Sequence, residues 1–252
     1  MKTTTLKIFN ALALVLVLVV NYLANALPLN GVKTADVSNK YFNEFAPANI
    51  TFSIWAVIYT LIIGWVVWQF LGQNHLKMIA VKKLSLMFII NCVLNAFWLL
   101  AWHHEAFVIT LMLMVGILLT LVQLNKIEYH DLSPHTPSKW LMASAFGVYL
   151  GWICIATIAN FTTFLVSVHF SKFGLSDTFW TGGVIGIGSI TAALLVVRFK
   201  NIYIGLAVIW ALVGIVIRQE QLHEHFTAIS WAALTYGLAV VASLFYGKRR
   251  VI

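Results

Sequence analysis

Charge is what this sequence has least of. Only 10% of its residues are Asp, Glu, Lys or Arg, against 61% hydrophobic, and the mean hydropathy is +0.91. A soluble domain of 252 residues needs a polar exterior, so the composition excludes one and leaves a polytopic helical membrane protein. Cysteine is nearly absent too. Cys92 and Cys154 both lie inside apolar runs, with no C-x-x-C pair and no zinc spacing, so neither a disulfide framework nor a metal site is expected. The net charge of +8 sits in short basic clusters between apolar runs, never as a stripe with interleaved aromatics. That distribution excludes nucleic acid as a partner and reads as topology charge.

The missing charge is most informative inside the membrane. Every Asp and Glu falls in a loop or at the end of an apolar run, so no mid-membrane carboxylate is available for proton coupling. No lysine sits in the middle of a run, which excludes a retinal Schiff base. There is no Ser/His/Asp or Cys/His arrangement and no phosphate loop. The run "GGVIGIG" lies in an apolar segment without a preceding strand, so it is no dinucleotide fingerprint. His103-His104-Glu105 and His223-Glu224-His225 read as solvated interfacial groups rather than metal ligands. No catalytic residue is expected.

What is present is apolar length. Eight segments can be drawn: Ile8–Leu29, Ile50–Leu71, Leu84–Trp102, Phe107–Leu124, Trp140–Val168, Phe179–Val197, Ile202–Ile217 and Phe226–Tyr246. The fold expected is all-α, a transmembrane bundle of about eight helices. Ala24-Asn25-Ala26 resembles a signal-peptide cleavage site, but the apolar run continues to Leu29, long enough to span, and a retained helix is expected. With the N-terminus inside, twelve of the sixteen Lys and Arg fall on the inner side. This asymmetry favours N-in and C-in, with the longest outer loop between the first two segments. Gly147-x-x-x-Gly151 and Gly182-x-x-x-Gly186 are small-residue spacings that let helices approach closely.

Asparagines and aromatics carry the remaining information. Asn91, Asn95, Trp98 and Trp102 share one helical face of the third segment. Tyr149, Trp152, Ala156, Asn160 and Thr163 share one on the fifth. Trp55 and Tyr59 lie one turn apart on the second segment, and Asn21 and Asn25 on the first. Taken singly, an intramembrane Asn reads as inter-helix glue, worth about 1 kcal/mol or less per bond. Together, Asn21, Asn25, Trp55, Tyr59, Asn95, Trp98, Tyr149, Trp152 and Asn160 converge in the middle to outer half of the bilayer. They outline a pocket beneath the long outer loop.

"FAPANITFSIWAVIYTLIIGWVVW", "NCVLNAFWLLAW" and "VYLGWICIATIANF" resemble, in order, the second, third and fifth helix signatures of the translocator protein family, the tryptophan-rich sensory proteins. The resemblance covers roughly residues 10–168. It implies a five-helix membrane core over residues 1–168, with three additional helices over 169–252. It also implies a receptor for porphyrins, sterols or similar planar ligands, with Trp55, Asn95 and Trp152 at the family's motif positions. Where relatives carry Trp-x-Pro-Pro before the second helix, Phe45-Ala46-Pro47-Ala48 has one proline and no Trp. The expectation is a cell-membrane receptor or sensor whose partners are lipid and a small planar apolar ligand. No cofactor is required, porphyrin or haem entering as ligand, and a homo-oligomer is compatible. A tetrapyrrole-modifying enzyme and an uncoupled transporter of a small amphipath are the alternatives.

Overall fold

Hydrocarbon offers backbone groups no water partners, so a chain this apolar crosses a membrane as helices. The computed structural model describes residues 2–26, 29–72, 75–132, 139–223 and 227–247. Among them are nine α-helices and no strand: α1 (Thr3–Ala26), α2 (Thr34–Lys40), α3 (Ile54–Phe70), α4 (His75–His103), α5 (Phe107–Asp131), α6 (Lys139–Ser167), α7 (Asp177–Phe199), α8 (Ile202–His223) and α9 (Ala228–Gly247). All but α2 are long and apolar enough to span, and they fall on the eight expected segments. Their ends differ. α4 starts at His75 rather than Leu84, and α5 runs to Asp131 rather than Leu124. Hydropathy marks the hydrocarbon layer, whereas backbone hydrogen bonding continues after the side chains turn polar.

α1 packs on α4, α4 on α5, α5 on α6, α6 on α3, and α3 more sparingly on α1, which closes a five-helix ring. α8 lies along the outside of α6, α9 on α8, and α7 against both α9 and α8. Serving both groups, α6 has 72% of its apolar window buried. The two small-residue spacings explain the close approaches. A Cβ on Gly147 would overlap Asn201, and one on Gly151 would overlap the Ile204 carbonyl, both at the start of α8. Gly186 gives the same room to Tyr236 of α9. In the space beside Gly147, Asn201 donates to Asn125 Oδ1 at 3.1 Å and to the Ala143 carbonyl at 2.9 Å, tying α5, α6 and α8.

The ring interior is filled at one end and hollow at the other. Trp65 is fully buried, with Phe88 at 4.7 Å and Phe146 at 5.1 Å between ring centroids. Nearby, Asn10 Nδ2 donates to Gln69 Oε1 at 2.9 Å and Ser85 Oγ at 2.8 Å, joining α1, α3 and α4. Such packing leaves little room at that end, and the larger space lies at the opposite one, below the connection between α1 and α3. There α2 lies against the end of α4, and residues 49–53 form a 3-10 turn leading into α3.

His103 corrects an expectation. It is fully buried rather than solvated, because α2 covers it. Its Nδ1 sits 2.8 Å from the Leu99 carbonyl, which can only accept, so Nδ1 carries the proton. In the neutral ring Nε2 then accepts from Thr34 Oγ1 at 3.4 Å. In the second histidine motif, Glu224, His225 and the side chain of His223 lie outside the described residues.

Candidate ligand-binding site

Two adjoining cavities occupy the hollow end. The larger, about 590 Å³, lies at the seam of α1 and α3, where the ring is least tightly closed. Leu18, Asn21 and Tyr22 line it from α1, Trp55 and Tyr59 from α3, and Trp98 and Leu99 from α4, with Thr34 and Ala35 of α2 above. The smaller, about 50 Å³, reaches between α4, α5 and α6 to Trp152, Asn160 and Thr163. Phe52, Trp55, Trp98 and Thr34 border both.

The aromatic wall is built by helical spacing. Trp55 and Tyr59, one turn apart, stack with centroids 5.4 Å apart and an interplanar angle of 21°. Trp98 and Trp102 repeat the arrangement on α4 at 5.9 Å and 27°. Trp152 meets Trp55 edge-on at 6.3 Å and Phe52 at 5.8 Å. Offset and edge-on rings at these distances attract by roughly 0.5–1.5 kcal/mol beyond area burial, so the wall is held in shape by its own members.

The expected site residues divide. Asn21, Trp55, Tyr59, Trp98, Trp152 and Asn160 line the cavities. Asn95 and Tyr149 line neither. Asn95 Nδ2 donates to Tyr149 Oη at 2.7 Å, and its oxygen lies 3.4 Å from Asn21 Nδ2, so it joins α4, α6 and α1. Tyr149 backs the wall, edge-on to Trp55 at 5.7 Å. The side chain of Asn25 lies outside the described residues. Phe52, Thr34, Leu18 and Tyr22 were not anticipated: Thr34 lies outside the spans, Phe52 sits in the turn that precedes α3, and the others show no polar or tryptophan pattern.

Polar chemistry here is one-sided. Asn160 Oδ1 accepts from Thr110 Oγ1 at 2.9 Å, which leaves its Nδ2 without a partner. The indole nitrogens of Trp98 and Trp152 are likewise buried and unpaired. Three N–H donors thus belong to residues lining the smaller cavity, each a group whose lone burial costs about 1–3 kcal/mol. Among the described lining residues of both cavities there is no carboxylate, lysine, arginine or histidine. The arrangement suits binding of a flat apolar body with an acceptor on its edge.

The covering connection is tied to α4. Trp102 Nε1 donates to the Thr34 carbonyl at 3.1 Å, and Asn30 Nδ2 to the His103 carbonyl at 3.0 Å. Just past α2, Glu105 accepts from Lys40 Nζ at 2.6 Å and Tyr41 Oη at 2.5 Å. These bonds, Lys40 first, hold the Glu105 carboxyl below the usual carboxylate range, and the same contact raises Lys40.

An all-helical chain with eight long apolar spans among its described residues is a polytopic membrane protein. The chain belongs to the TSPO-like protein family, whose model matches residues 7–246. That match runs through α7, α8 and α9, so the relationship extends beyond the first five spans. Neither a curated protein nor a solved structure matched the chain.

Proposed function

We propose that this is a cell-membrane receptor or sensor that takes a planar apolar ligand, of tetrapyrrole or sterol-like shape, into the cavity beneath α2. The observation that carries the reading is the cavity of about 590 Å³ faced by Phe52, Trp55, Tyr59 and Trp98. Its volume is typical of small-molecule sites, and its wall offers flat faces and no charge. The unpaired N–H donors of Trp98, Trp152 and Asn160 favour a ligand with a carbonyl or carboxylate edge. No cofactor is needed in this reading, and a porphyrin enters as ligand. Both termini are cytoplasmic, and the cavity lies toward the outer leaflet, as the basic asymmetry of the loops supports.

Titration of the purified protein with protoporphyrin, followed by its absorption band and by tryptophan quenching, is the test. Saturable one-to-one binding with a band shift is expected. Trp55→Ala and Trp152→Ala each weaken it by about two- to tenfold, the loss of one aromatic contact. Trp180→Ala, whose ring packs on Phe170 at the start of α7, leaves affinity unchanged. Equal losses at all three positions would mean general destabilisation and would remove the site. Progressive bleaching of the band would replace the receptor by an enzyme.

A further inference from the structure

Residues 44–53 reach α3 along the outside of the ring, and there α8 holds them. The Ala48 N–H donates to the Gly214 carbonyl at 2.9 Å, and Trp210 Nε1 donates to the Thr51 carbonyl at 2.9 Å. Gln219 Nε2 donates to Glu44 Oε2 at 2.6 Å. Thr51 is 1% exposed and seated where Gly214 lacks a side chain, since a Cβ there would overlap the Thr51 side chain. The Ala48 and Thr51 contacts land just ahead of Phe52, which borders both cavities, and Trp55 follows one turn later. Trp210, Gly214 and Gln219 themselves line neither cavity.

A 3-10 turn makes few and poorly aligned bonds of its own, so its direction is set by what it leans on. We infer that α8 is a positioning element for the ligand cavity: Trp210 and Gly214 fix the turn that aims Phe52 and Trp55, so this helix tunes ligand affinity without touching the ligand. The inference rests on the ligand-binding reading above. It gives α8, a helix outside the five-helix ring, a role in the site.

The test uses the full-length chain, protoporphyrin as probe, and a 19F label on the ring of Phe52. Trp210→Phe keeps the ring and removes one hydrogen bond, and about a three- to tenfold weaker affinity is expected. Gly214→Ala displaces Thr51, weakens binding at least as much and shifts the 19F signal without ligand. Adding Thr51→Ala to Gly214→Ala removes the two closest overlaps, with Thr51 Oγ1 and Cγ2, and moves both readouts part of the way back toward wild type. Gly186→Ala crowds Tyr236 inside the C-terminal group. It is expected to lower the melting temperature and leave affinity and the 19F signal in place. An unmoved 19F signal in Gly214→Ala would overturn the inference, as would affinity losses that track melting temperature across all variants, Gly186→Ala included. A wild-type chain that binds no protoporphyrin would sink the functional reading alone, because the ligand-free 19F shift still decides the role of α8.

Discussion

Asn91 and Asn95 stand one turn apart on α4 and look alike in sequence, yet each serves a different neighbour. Asn91 Nδ2 donates to Thr120 Oγ1 at 2.8 Å on α5, whereas Asn95 Nδ2 donates to Tyr149 Oη at 2.7 Å on α6. Both are about 1% exposed, so neither bond is shared with solvent. Both substitutions to Leu are therefore expected to lower the melting temperature, because each removes a buried bond between helices and Asn95→Leu also takes from Tyr149 Oη its donor. Asn95→Leu should also leave probe affinity within about threefold of wild type, the scale of one interhelical bond in a membrane bundle. Thermal melts with paired titrations read this directly. A stable Asn95→Leu that no longer binds would return the residue to the ligand.

At the scale of the element, α2 is the piece the sequence hides. Its seven residues, "TADVSNK", have no apolar periodicity and are far too short to hold a helix alone. Its place is set by partners on α4 and by the Glu105 cluster. The eight spans needed no such help, since apolar length alone marks them. Trp55 and Tyr59 were legible because helical spacing fixes which face they share. Phe52 was not, because it precedes the helix in a turn whose direction depends on α8. The Glu105 cluster makes the cover sensitive to pH with a definite sign. A carboxyl held below its usual range contributes stability that is present above the ordinary carboxylate pKa and lost as pH falls through the folded value. Lys40, raised by the same contact, contributes below the ordinary lysine range and loses it as pH rises through its own folded value. Hydrogen exchange at residues 34–41, corrected for intrinsic rates, is expected to stay flat around neutrality and accelerate as pH falls below the ordinary glutamate range. Glu105→Gln should show the faster exchange already at pH 7. An acid-induced rise that persists unchanged in Glu105→Gln would place the titration elsewhere.

For the whole molecule, ring closure and orientation decide where a ligand arrives. The lightly packed seam of α1 and α3 carries the larger cavity, while α6 is locked on both sides by α5, α3 and α8. The end at which the seam opens is the end covered by α2. By sequence, twelve of the sixteen Lys and Arg fall on the opposite side, and the nine of them that are described, from Lys2 to Lys200, lie toward the helix ends and connections there. On the orientation proposed above, the positive-inside rule favours α2 and the cavity on the outer side, with both termini in the cytoplasm. Single cysteines in a background lacking Cys92 and Cys154 can test this on intact cells. Asn39→Cys, exposed on α2, is expected to react with an impermeant maleimide from outside. Lys82→Cys, exposed near the start of α4, is expected to react only after the membrane is opened. The reverse pattern would invert the bundle and turn the cavity toward the cytoplasmic leaflet, so that any ligand would have to come from inside the cell.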